Sequence, residues 1–387
     1  MRRRNLARVL HTVAQDGPCS RAAVAGRIGL TRAAVSTLVE ELLRGGLLVE
    51  RGAASSAGVG RPGRALWLAE DGPCGLGAEI GVDHLAVCAV DLRGTVRVRR
   101  RTAGRHRGSD PGAVLDGLAG LVEEVTAEAA GLGLTPAGLA VAVPGLVARG
   151  STTVVRAPNL GWHEVDLAAA LGGTAPLTAD NEANFGALAE LWLGEAAPRD
   201  FVHVSAQIGI GGAVVVEGEL LRGARGFAGE LGHVPVSARG PACACGSRGC
   251  LEQYAGEEAV LRAADLAAPP AADGTALLAD RAAAGHRATG RALRGAGRAL
   301  GVALTGTVNL LDPAEIVLGG ALARLGPWLL PPVARELASR TTAPEAVPIL
   351  RVSALGERGP LLGAAHSVVR AVLDDPPTTA GTPPVPV

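Results

Sequence analysis

The stretch GHVPVSARGPACACGSRGCLEQ, residues 232–253, holds three of the six cysteines of the chain, with a histidine just upstream of them. Together these four side chains offer three thiolates and one imidazole, the set typical of a four-coordinate structural zinc site. Because four protein ligands leave no position for water, the spacing favours structural zinc (Zn2+) over hydrolytic metal chemistry. Chance clustering of four free side chains in a loop is the alternative. The candidate zinc ligands are His233, Cys243, Cys245 and Cys250.

The start of the chain carries no evident targeting segment. MRRRNLARVLHTVAQDG, residues 1–17, is basic, but neither a long apolar segment nor a small-residue cleavage site follows it. No apolar run in the sequence is long enough to span a membrane. We therefore expect a cytoplasmic protein without a membrane partner, in a compartment where clustered cysteines more often bind metal or undergo redox reactions than form disulfides.

The composition predicts a soluble protein of two or three domains. The chain has 387 residues, which is too long for one ordinary core. Hydrophobic residues make up 48% of it and charged residues 19%, a composition typical of a soluble globular protein. The net charge is +0, but residues 1–68 hold eleven arginines against four acidic residues, a net +7, and the remainder carries a net −7. A basic amino-terminal segment on an acidic body suggests that this end meets a polyanion, and a fortuitously basic surface is the alternative.

The first seventy residues predict a helix-turn-helix. Apolar residues recur at helical spacing in three segments, and IGLT, residues 28–31, is a tight turn between the second and the third. Gly29 is free to take a positive φ in that turn, and Thr31 is placed to cap the third helix. The apolar stripe of that helix leaves small and basic residues outward near its start, where they can enter the major groove. The predicted DNA-contacting residues of this helix are Thr31, Arg32, Ser36 and Thr37.

A strand, a flexible loop and a second strand follow in residues 45–70, GGLLVERGAASSAGVGRPGRALWLAE. This order is typical of the hairpin of a winged helix, and its tip carries Arg61 and Arg64 within GRPGR. Such arginines reach phosphates or the adjacent minor groove. The sequence therefore predicts DNA binding by a winged helix-turn-helix, and a three-helix module used for protein contact is the alternative.

From about Cys74 the sequence alternates between apolar strands and helices. GLGAEIGVDHLAVCAVDLRGTVRVRRR, residues 75–101, predicts a hairpin or meander, and EIVLGGALA, residues 315–323, predicts a strand running into a helix. Repeated strand–glycine–strand units with helices between them indicate α/β architecture in two lobes.

Four motifs in this body resemble those of the ROK family of repressors, open reading frames and sugar kinases. GELGHVPVSARGPACACGSRGCLEQ, residues 229–253, resembles the Glu-x-Gly-His and Cys-x-Cys-Gly-x-x-Gly-Cys-x-Glu signature of that family. APNLGWHEVDL (157–167) resembles its sugar loop, DNEANFGALAE (180–190) its catalytic Asn-Asp-Ala-Asn segment, and IVLGGALA (316–323) its nucleotide-side Gly-Gly. The resemblance spans nearly the whole chain, and a winged helix is what the repressor branch carries and the bare kinases lack.

The resemblance implies an α/β fold in which a winged helix-turn-helix domain is followed by a two-lobed, actin-like (ASKHA/ROK) body of the ATPase type. The family is usually dimeric or tetrameric, so a homodimer or homotetramer is implied. The last segment of the chain, DDPPTTAGTPPVPV, contains too much proline to pack. The implied divisions are 1–70 for the winged helix-turn-helix, 75–185 for the first lobe, 186–358 for the second lobe with the zinc loop, 359–374 for a helix that returns to the first lobe, and 375–387 for a disordered tail.

The resemblance also implies which residues bind zinc and a sugar. In the family, one histidine and three cysteines hold zinc, and Glu230 and Glu252 flank that loop, so the metal would hold the two carboxylates in register. Zinc would also fix the tautomer of His233 and leave its other ring nitrogen to meet a sugar hydroxyl or another acceptor. For an isolated glutamate, a solvated surface acid is the alternative. The implied sugar-binding residues are Asn159, Glu182, Glu230, His233 and Glu252.

The first phosphate-binding segment departs from that of the ROK kinases. Where the kinases carry Asp-x-Gly-Gly-Thr, this chain has EIGVD, residues 79–83, with Glu79, Val82 and Asp83 at the altered positions. A carboxylate at Asp83 would repel phosphate, and Val82 would block close approach of the backbone. The segment therefore predicts poor binding of the transferring phosphate.

Two further departures point the same way. In QIGIGG, residues 207–212, Ile208 stands where the kinases have threonine. Glu182 stands where the family has its aspartate base, and its extra methylene misplaces the carboxylate by about an ångström. We therefore predict no catalytic residues and no efficient kinase activity, with Glu182 as a vestigial base.

Together these features predict a sugar-responsive transcriptional regulator, most simply a repressor of carbohydrate-utilisation genes. Its predicted partners are a double-stranded DNA operator and a sugar or sugar-phosphate effector. One alternative is a ROK-type sugar kinase, performing ATP-dependent hexose phosphorylation, with an appended DNA-binding domain. Another is a body that serves as a protein-binding platform controlled by a transport component.

Overall fold

A computed structural model of the chain describes residues 1–53, 64–173, 175–195, 199–206, 209–266, 274–343 and 347–377. Three sequence predictions fall outside these ranges. They are Arg61 in the wing, Ile208 in the second phosphate-binding segment, and residues 378–387 of the tail.

Three helices and a two-stranded antiparallel sheet form the amino-terminal part of the chain. They are α1 (Arg2–Asp16), α2 (Arg21–Ile28), α3 (Arg32–Arg44), β1 (Leu48–Ala53) and β2 (Arg64–Leu68). The side chains of Ser20 and Thr31 cap α2 and α3, and Gly29 between these helices has a φ of 68°. The bend of 115° between α2 and α3 falls in the range of helix-turn-helix motifs.

The first lobe of the body is built on a sheet of five strands within the described residues. These are β3 (Gly72–Ile80), β4 (His84–Asp91), β5 (Val96–Ala103), β6 (Leu134–Val143) and β10 (Leu177–Asn181). Their order is β10-β6-β3-β4-β5, with β3, β6 and β10 parallel and β4 antiparallel to both of its neighbours. The helices α4 (Pro111–Gly131) and α12 (Gly359–Asp374) cover opposite faces, which explains why β3 and β4 are apolar almost throughout.

A small antiparallel sheet extends the first lobe. It contains β7 (Leu146–Val147), β8 (Thr153–Ala157) and β9 (Trp162–Asp166), and the short helix α5 (Leu167–Leu171) follows it. Its inward residues, such as Val154 and Trp162, join the same apolar cluster as the face of the large sheet under α4. The segment 157–167 is thereby held against the first lobe.

The second lobe has its own sheet of five strands in the described part of the chain. They are β11 (Phe201–Ala206), β12 (Ile210–Val216), β13 (Glu219–Leu220), β14 (Glu315–Gly319) and β15 (Ile349–Val352), in the order β13-β12-β11-β14-β15. The helices of this lobe are α7 (Glu252–Ala255), α8 (Glu257–Ala263), α9 (Gly274–Ala283), α10 (Arg287–Leu311) and α11 (Gly320–Arg340). The predicted α/β architecture in two lobes is therefore confirmed.

One helix, α6 (Glu182–Leu193), connects the two lobes. It begins directly after β10 of the first lobe and packs against α12, β11 and β12. The division predicted between residues 185 and 186 falls inside this continuous helix, so that boundary does not coincide with a break in the chain.

The amino-terminal helices and the first lobe share one apolar core. A single cluster of buried residues joins Leu6 and Leu10 of α1 to Val90 of β4 and to Leu361 and Val369 of α12. Polar contacts run along the same seam, since Nε2 of His11 lies 2.7 Å from Oδ1 of Asp374. The α12 helix is therefore enclosed between the sheet of the first lobe and the amino-terminal helices.

Within the described ranges, no single helix combines the length and the apolar composition needed to cross a membrane, although α2 and α3 meet that test when they are taken as one bent pair.

Candidate metal centre and neighbouring cavity

The four candidate zinc ligands lie together in one loop of the second lobe. His233 ends a short 3₁₀ helix, Leu231–His233, and the three cysteines follow within eighteen residues of it. Their ligand atoms all lie within 4.8 Å of one another. The Sγ atoms of Cys245 and Cys250 are 3.7 Å apart, and Sγ of Cys243 lies 3.7 Å from Nδ1 of His233.

The geometry of this cluster fits a zinc ion. A tetrahedral zinc with Zn–S distances of about 2.3 Å separates two sulfur ligands by about 3.8 Å. The sulfur atoms of Cys245 and Cys250 lie 3.7 Å apart, close to that separation. With three thiolates and one imidazole the coordination shell is full, so a bound ion would be structural.

The backbone of the loop brings these ligands together. Gly249 has a φ of 68°, and a Cβ at that position would overlap the carbonyl oxygen of Ser237. The N–H groups of Gly249 and Val236 donate to the carbonyl oxygens of Pro241 and Gly249, both at 2.8 Å. Glycine is therefore required at residue 249 for the two arms of the loop to pack this closely.

A cavity that is open to solvent lies between the lobes and beside the cysteine cluster. All five residues that the sequence predicts to bind a sugar line it, namely Asn159, Glu182, Glu230, His233 and Glu252. Asn181 and Arg156 also line the cavity and were not predicted, although both lie in or beside the motifs quoted above.

Backbone contacts fix Glu252 on one wall of the cavity. Its Oε2 accepts a hydrogen bond from the N–H of Ile210 at 3.2 Å. A Cβ at Gly209 would overlap the same Oε2 and would lie 2.9 Å from Nδ2 of Asn159. The carboxylate of Glu252 and the amide of Asn159 therefore meet over a bare stretch of backbone that only glycine provides.

His233 connects the cysteine cluster to the cavity. Its Nδ1 faces Cys243, and its Nε2 lies 3.9 Å from Oε2 of Glu230. Burial raises the pKa of Glu230, with His233 opposing that shift and Glu252 adding to it. A metal on Nδ1 would leave the Nε2–H directed toward Glu230, which would orient that carboxyl group.

Glu182 lies deepest of the cavity carboxyl groups. It is the first residue of α6, only 9% exposed, and its Oε2 has no hydrogen-bond partner among the described residues. Burial, followed by the nearby charge of Glu79, raises the pKa of Glu182 to about 8, although His84 opposes the shift. Asn181 beside it caps α6 through Oδ1 and donates from Nδ2 to the carbonyl oxygen of Gly145 at 2.8 Å.

The turn between β3 and β4 is closed by histidine side chains. His84 lies 2.7 Å from Oδ1 of Asp83 and 3.5 Å from Oε1 of Glu79. Burial by itself lowers the pKa of His84, but the hydrogen bonds to Asp83 and Glu79 outweigh it and raise that pKa to about 9. His106 donates from Nδ1 to the carbonyl oxygen of Gly81 at 2.7 Å.

The same turn offers little room for a phosphate. A Cβ at Gly81 would overlap the imidazole of His84, so this ring lies directly on the backbone of the turn. The hydrogen bond from His84 also holds the pKa of Asp83 below its usual value. The turn therefore presents an ionised carboxylate and a filled surface at the position of the first phosphate-binding segment.

The predicted DNA-contacting residues of α3 lie at its first turns. Thr31, Arg32 and Thr37 are exposed, and Ser36 is half-exposed. Arg64, at the start of β2, has 77% of its side chain exposed and lies 3.9 Å from Glu50.

Some other arginines of this part of the chain are paired with acidic side chains. Arg2 pairs with Glu41, and Arg21 pairs with Glu40 and Glu50. Arg32 makes no ion pair with the described residues, which leaves its charge available at the start of α3.

Comparisons with known proteins agree with the motifs in the body. A model of the ROK family matches residues 75–371. The chain is 29% identical over 384 residues to a xylose repressor of Caldicellulosiruptor bescii, covering 95% of this chain and 96% of the relative.

Two solved structures extend the comparison. A ROK family transcriptional regulator described as a homologue of the E. coli MLC protein is 25% identical, with a TM-score of 0.80 and coverage of 97% of both chains. A ROK family glucokinase from Streptomyces griseus, in complex with glucose and AMPPNP, is also 25% identical, with a TM-score of 0.64. The match covers 98% of the kinase chain but only 76% of this chain.

Proposed function

The chain belongs to the ROK family, and we propose that it is a sugar-responsive, DNA-binding transcriptional regulator that represses carbohydrate-utilisation genes until a sugar releases it. One observation carries this proposal. A cavity lined by the predicted sugar-binding residues lies in a body that shares a continuous core with an amino-terminal helix-turn-helix. A ligand in that body and a partner of those helices therefore act on one packed unit.

The cavity is suited to a polyol because it offers several hydrogen-bonding groups at once. A sugar leaves water only if its hydroxyl groups find partners in the site. Glu230, Glu252 and Asn159 supply such groups on walls that are fixed by the backbone and by the cysteine cluster. We propose that a bound zinc ion, held by His233 and the three cysteines, serves to fix these walls.

We propose that the body has no efficient kinase activity. Phosphoryl transfer depends on a loop that cradles the phosphates and on a base that is ionised. The histidine-filled turn at Gly81 supports the loss of the first requirement. The raised pKa of Glu182 supports the loss of the second.

DNA recognition is assigned to the start of α3 and to the wing, with Arg32, Ser36 and Thr37 meeting base edges and Arg64 meeting the backbone. Thr31 caps the helix and lies at the same surface. Two such modules in a homodimer or homotetramer would set the spacing of two operator half-sites. This role belongs in the cytoplasm, where the operator is accessible.

Glu230→Ala provides the test of the proposed function. The variant should bind the DNA upstream of its own gene as tightly as the wild type, but sugar should no longer release it. A thermal-shift screen with D-xylose, D-glucose and N-acetylglucosamine selects the sugar, and a gel-shift titration with that sugar measures release. Glu124→Ala on the exposed face of α4 is the matched control and should respond like the wild type.

Release of Glu230→Ala at the wild-type sugar concentration would contradict the assignment. A coupled ATP assay with the same sugars separates the proposal from the kinase alternative, since robust turnover by the wild type would contradict the lost kinase activity.

A further inference from the structure

We propose that Glu182 is a neutral carboxylic acid that donates a hydrogen bond to an oxygen of the bound sugar, the opposite of the proton-accepting role of a kinase base. This inference rests on the proposed sugar site and adds the chemical role of one group within it. It follows from the burial of Glu182, from an oxygen without a partner, and from the charges that surround it.

The partnerless oxygen indicates that a ligand completes the site. Oε2 of Glu182 is buried and makes no hydrogen bond to the described residues, and the side chain lines the cavity, so a rotation of the carboxyl group would present this oxygen to a bound sugar. A buried polar atom of this kind is unfavourable unless a partner arrives. A hydroxyl of a sugar in the cavity is the partner that the site lacks.

The neighbouring charges decide which form of the carboxyl group is present. Glu79 and Asp83 both share the imidazolium of His84, so this cation is already engaged by two carboxylates. Asp180 is engaged by Arg222 and by Nδ2 of Asn184. The start of α6 favours a negative charge, but an unpaired buried carboxylate beside a second carboxylate is more unfavourable still.

Groups farther away do not change this balance. The imidazole of His203, behind Gly186 of α6, is neutral at pH 7 because burial lowers its pKa to about 4. Across the cavity, Arg156 donates to the carbonyl oxygen of Ala244 at 3.2 Å. The remaining titratable groups that line the cavity are Glu230, Glu252, His233 and Cys245. The pKa of about 8 for Glu182 agrees with a site in which burial and the charge of Glu79 outweigh the opposing charge of His84.

A neutral Glu182 changes what the site selects. A carboxylate only accepts hydrogen bonds, whereas a neutral carboxylic acid also donates one. The deepest point of the cavity would therefore require an acceptor, such as a ring or hydroxyl oxygen of the sugar. The same neutral group is unable to deprotonate that hydroxyl, which separates sensing from phosphorylation at one residue.

The protonation state is tested without any sugar. The full-length protein is labelled at the glutamate carboxyl carbons, and NMR follows the signal that disappears in Glu182→Gln. The signal should be that of a protonated acid at pH 7, with a midpoint near 8. Glu79→Gln should lower that midpoint, and Glu124→Gln should leave it unchanged. An ionised Glu182 at pH 7 would overturn the proposal.

The donor role is tested with the sugar from the thermal-shift screen. Glu182→Gln keeps a neutral donor and should bind within about threefold of the wild type, whereas Glu182→Ala should bind about tenfold or more weakly. Wild-type affinity should fall about tenfold per pH unit above the midpoint, and that of Glu182→Gln should stay flat.

The outcomes separate this proposal from the proposed function. A wild type that binds a sugar while Glu182→Gln loses it contradicts the donor role alone. A wild type that binds none of these sugars contradicts the sugar site and the donor role together.

Discussion

At the scale of single residues, Glu182 ties the stability of the fold to pH. Its pKa of about 8 lies far above the ordinary value of 4.5. Between these two values the folded protein keeps a proton that the unfolded chain has released. This group therefore makes the free energy of unfolding fall as the pH rises through that window, and the loss is complete above about pH 8.

Glu182→Gln should remove this dependence because the amide does not titrate. Relative to the wild type, the variant should gain about 1–3 kcal/mol of unfolding free energy between about pH 6 and pH 9. Urea denaturation of both proteins at these two pH values measures the difference. An equal change in both proteins would mean that Glu182 is already ionised in the folded state.

Gly209 is a second single residue with a measurable effect. Gly209→Ala places a methyl group against Oε2 of Glu252 and Nδ2 of Asn159, so one of these groups must move. Loss of a charged hydrogen bond corresponds to a decrease of about tenfold to a hundredfold in sugar affinity. Calorimetry measures this decrease, and DNA affinity without sugar should not change. Gly295→Ala, on α10 with nothing near its Cβ, is the control.

At the scale of elements, the cysteine loop is the part of the body that a bound metal ion would stabilise most directly. It has turns in place of regular strands, and its ligands come from residues 233 to 250. A structural zinc couples its binding free energy to folding of the segment that supplies the ligands. The loop leads directly into α7, whose first residue is Glu252.

Cys250→Ser should therefore affect both stability and sugar binding. Loss of a buried ligand should lower the Tm by several degrees and reduce the zinc content of the purified protein. Sugar affinity should fall as well, since Glu252 follows the ligand by two residues. Cys19→Ser, outside the cluster, should leave zinc content and sugar affinity unchanged. Full zinc content in Cys250→Ser would contradict the ligand assignment.

The elements that could be predicted from sequence are those decided by local interactions. The cap at Thr31 and the left-handed Gly29 depend on neighbours in the chain, and the structure contains them as predicted. The cluster of zinc ligands could be predicted for the same reason, because its four residues lie close together in the sequence. The ion pair between Glu79 and His84 was not predicted, because it depends on how a turn folds back on its own strand.

At the scale of the whole molecule, the amino-terminal helices and the body are expected to unfold together. Their shared cluster includes residues from α1, α3, β4 and α12, so neither part buries its apolar surface alone. No local signal predicts this contact, since it joins residues more than 350 positions apart, such as His11 and Asp374. The family, the two-lobed fold and the regulator type agree with the sequence predictions.

Two single-tryptophan proteins test this cooperativity. One keeps Trp67 of β2 and the other keeps Trp162 of β9, with phenylalanine at the other tryptophan positions. Their urea transitions should coincide. Leu361→Ala, which truncates a side chain that is 2% exposed, should shift both transitions together by about 2–5 kcal/mol. A Trp67 transition at lower urea than that of Trp162 would contradict a shared core.

The enclosed position of α12 also bears on the evolution of the family. A gene fusion that joins a winged helix to a kinase covers one face of α12, which includes Leu361 and Val369, and the loss of that domain exposes the same face. A kinase without the amino-terminal helices must carry more polar residues on that face or cover it with another segment. The amino-terminal domain is therefore not gained or lost independently of the body, because either change requires matching substitutions in α12, near the opposite end of the gene.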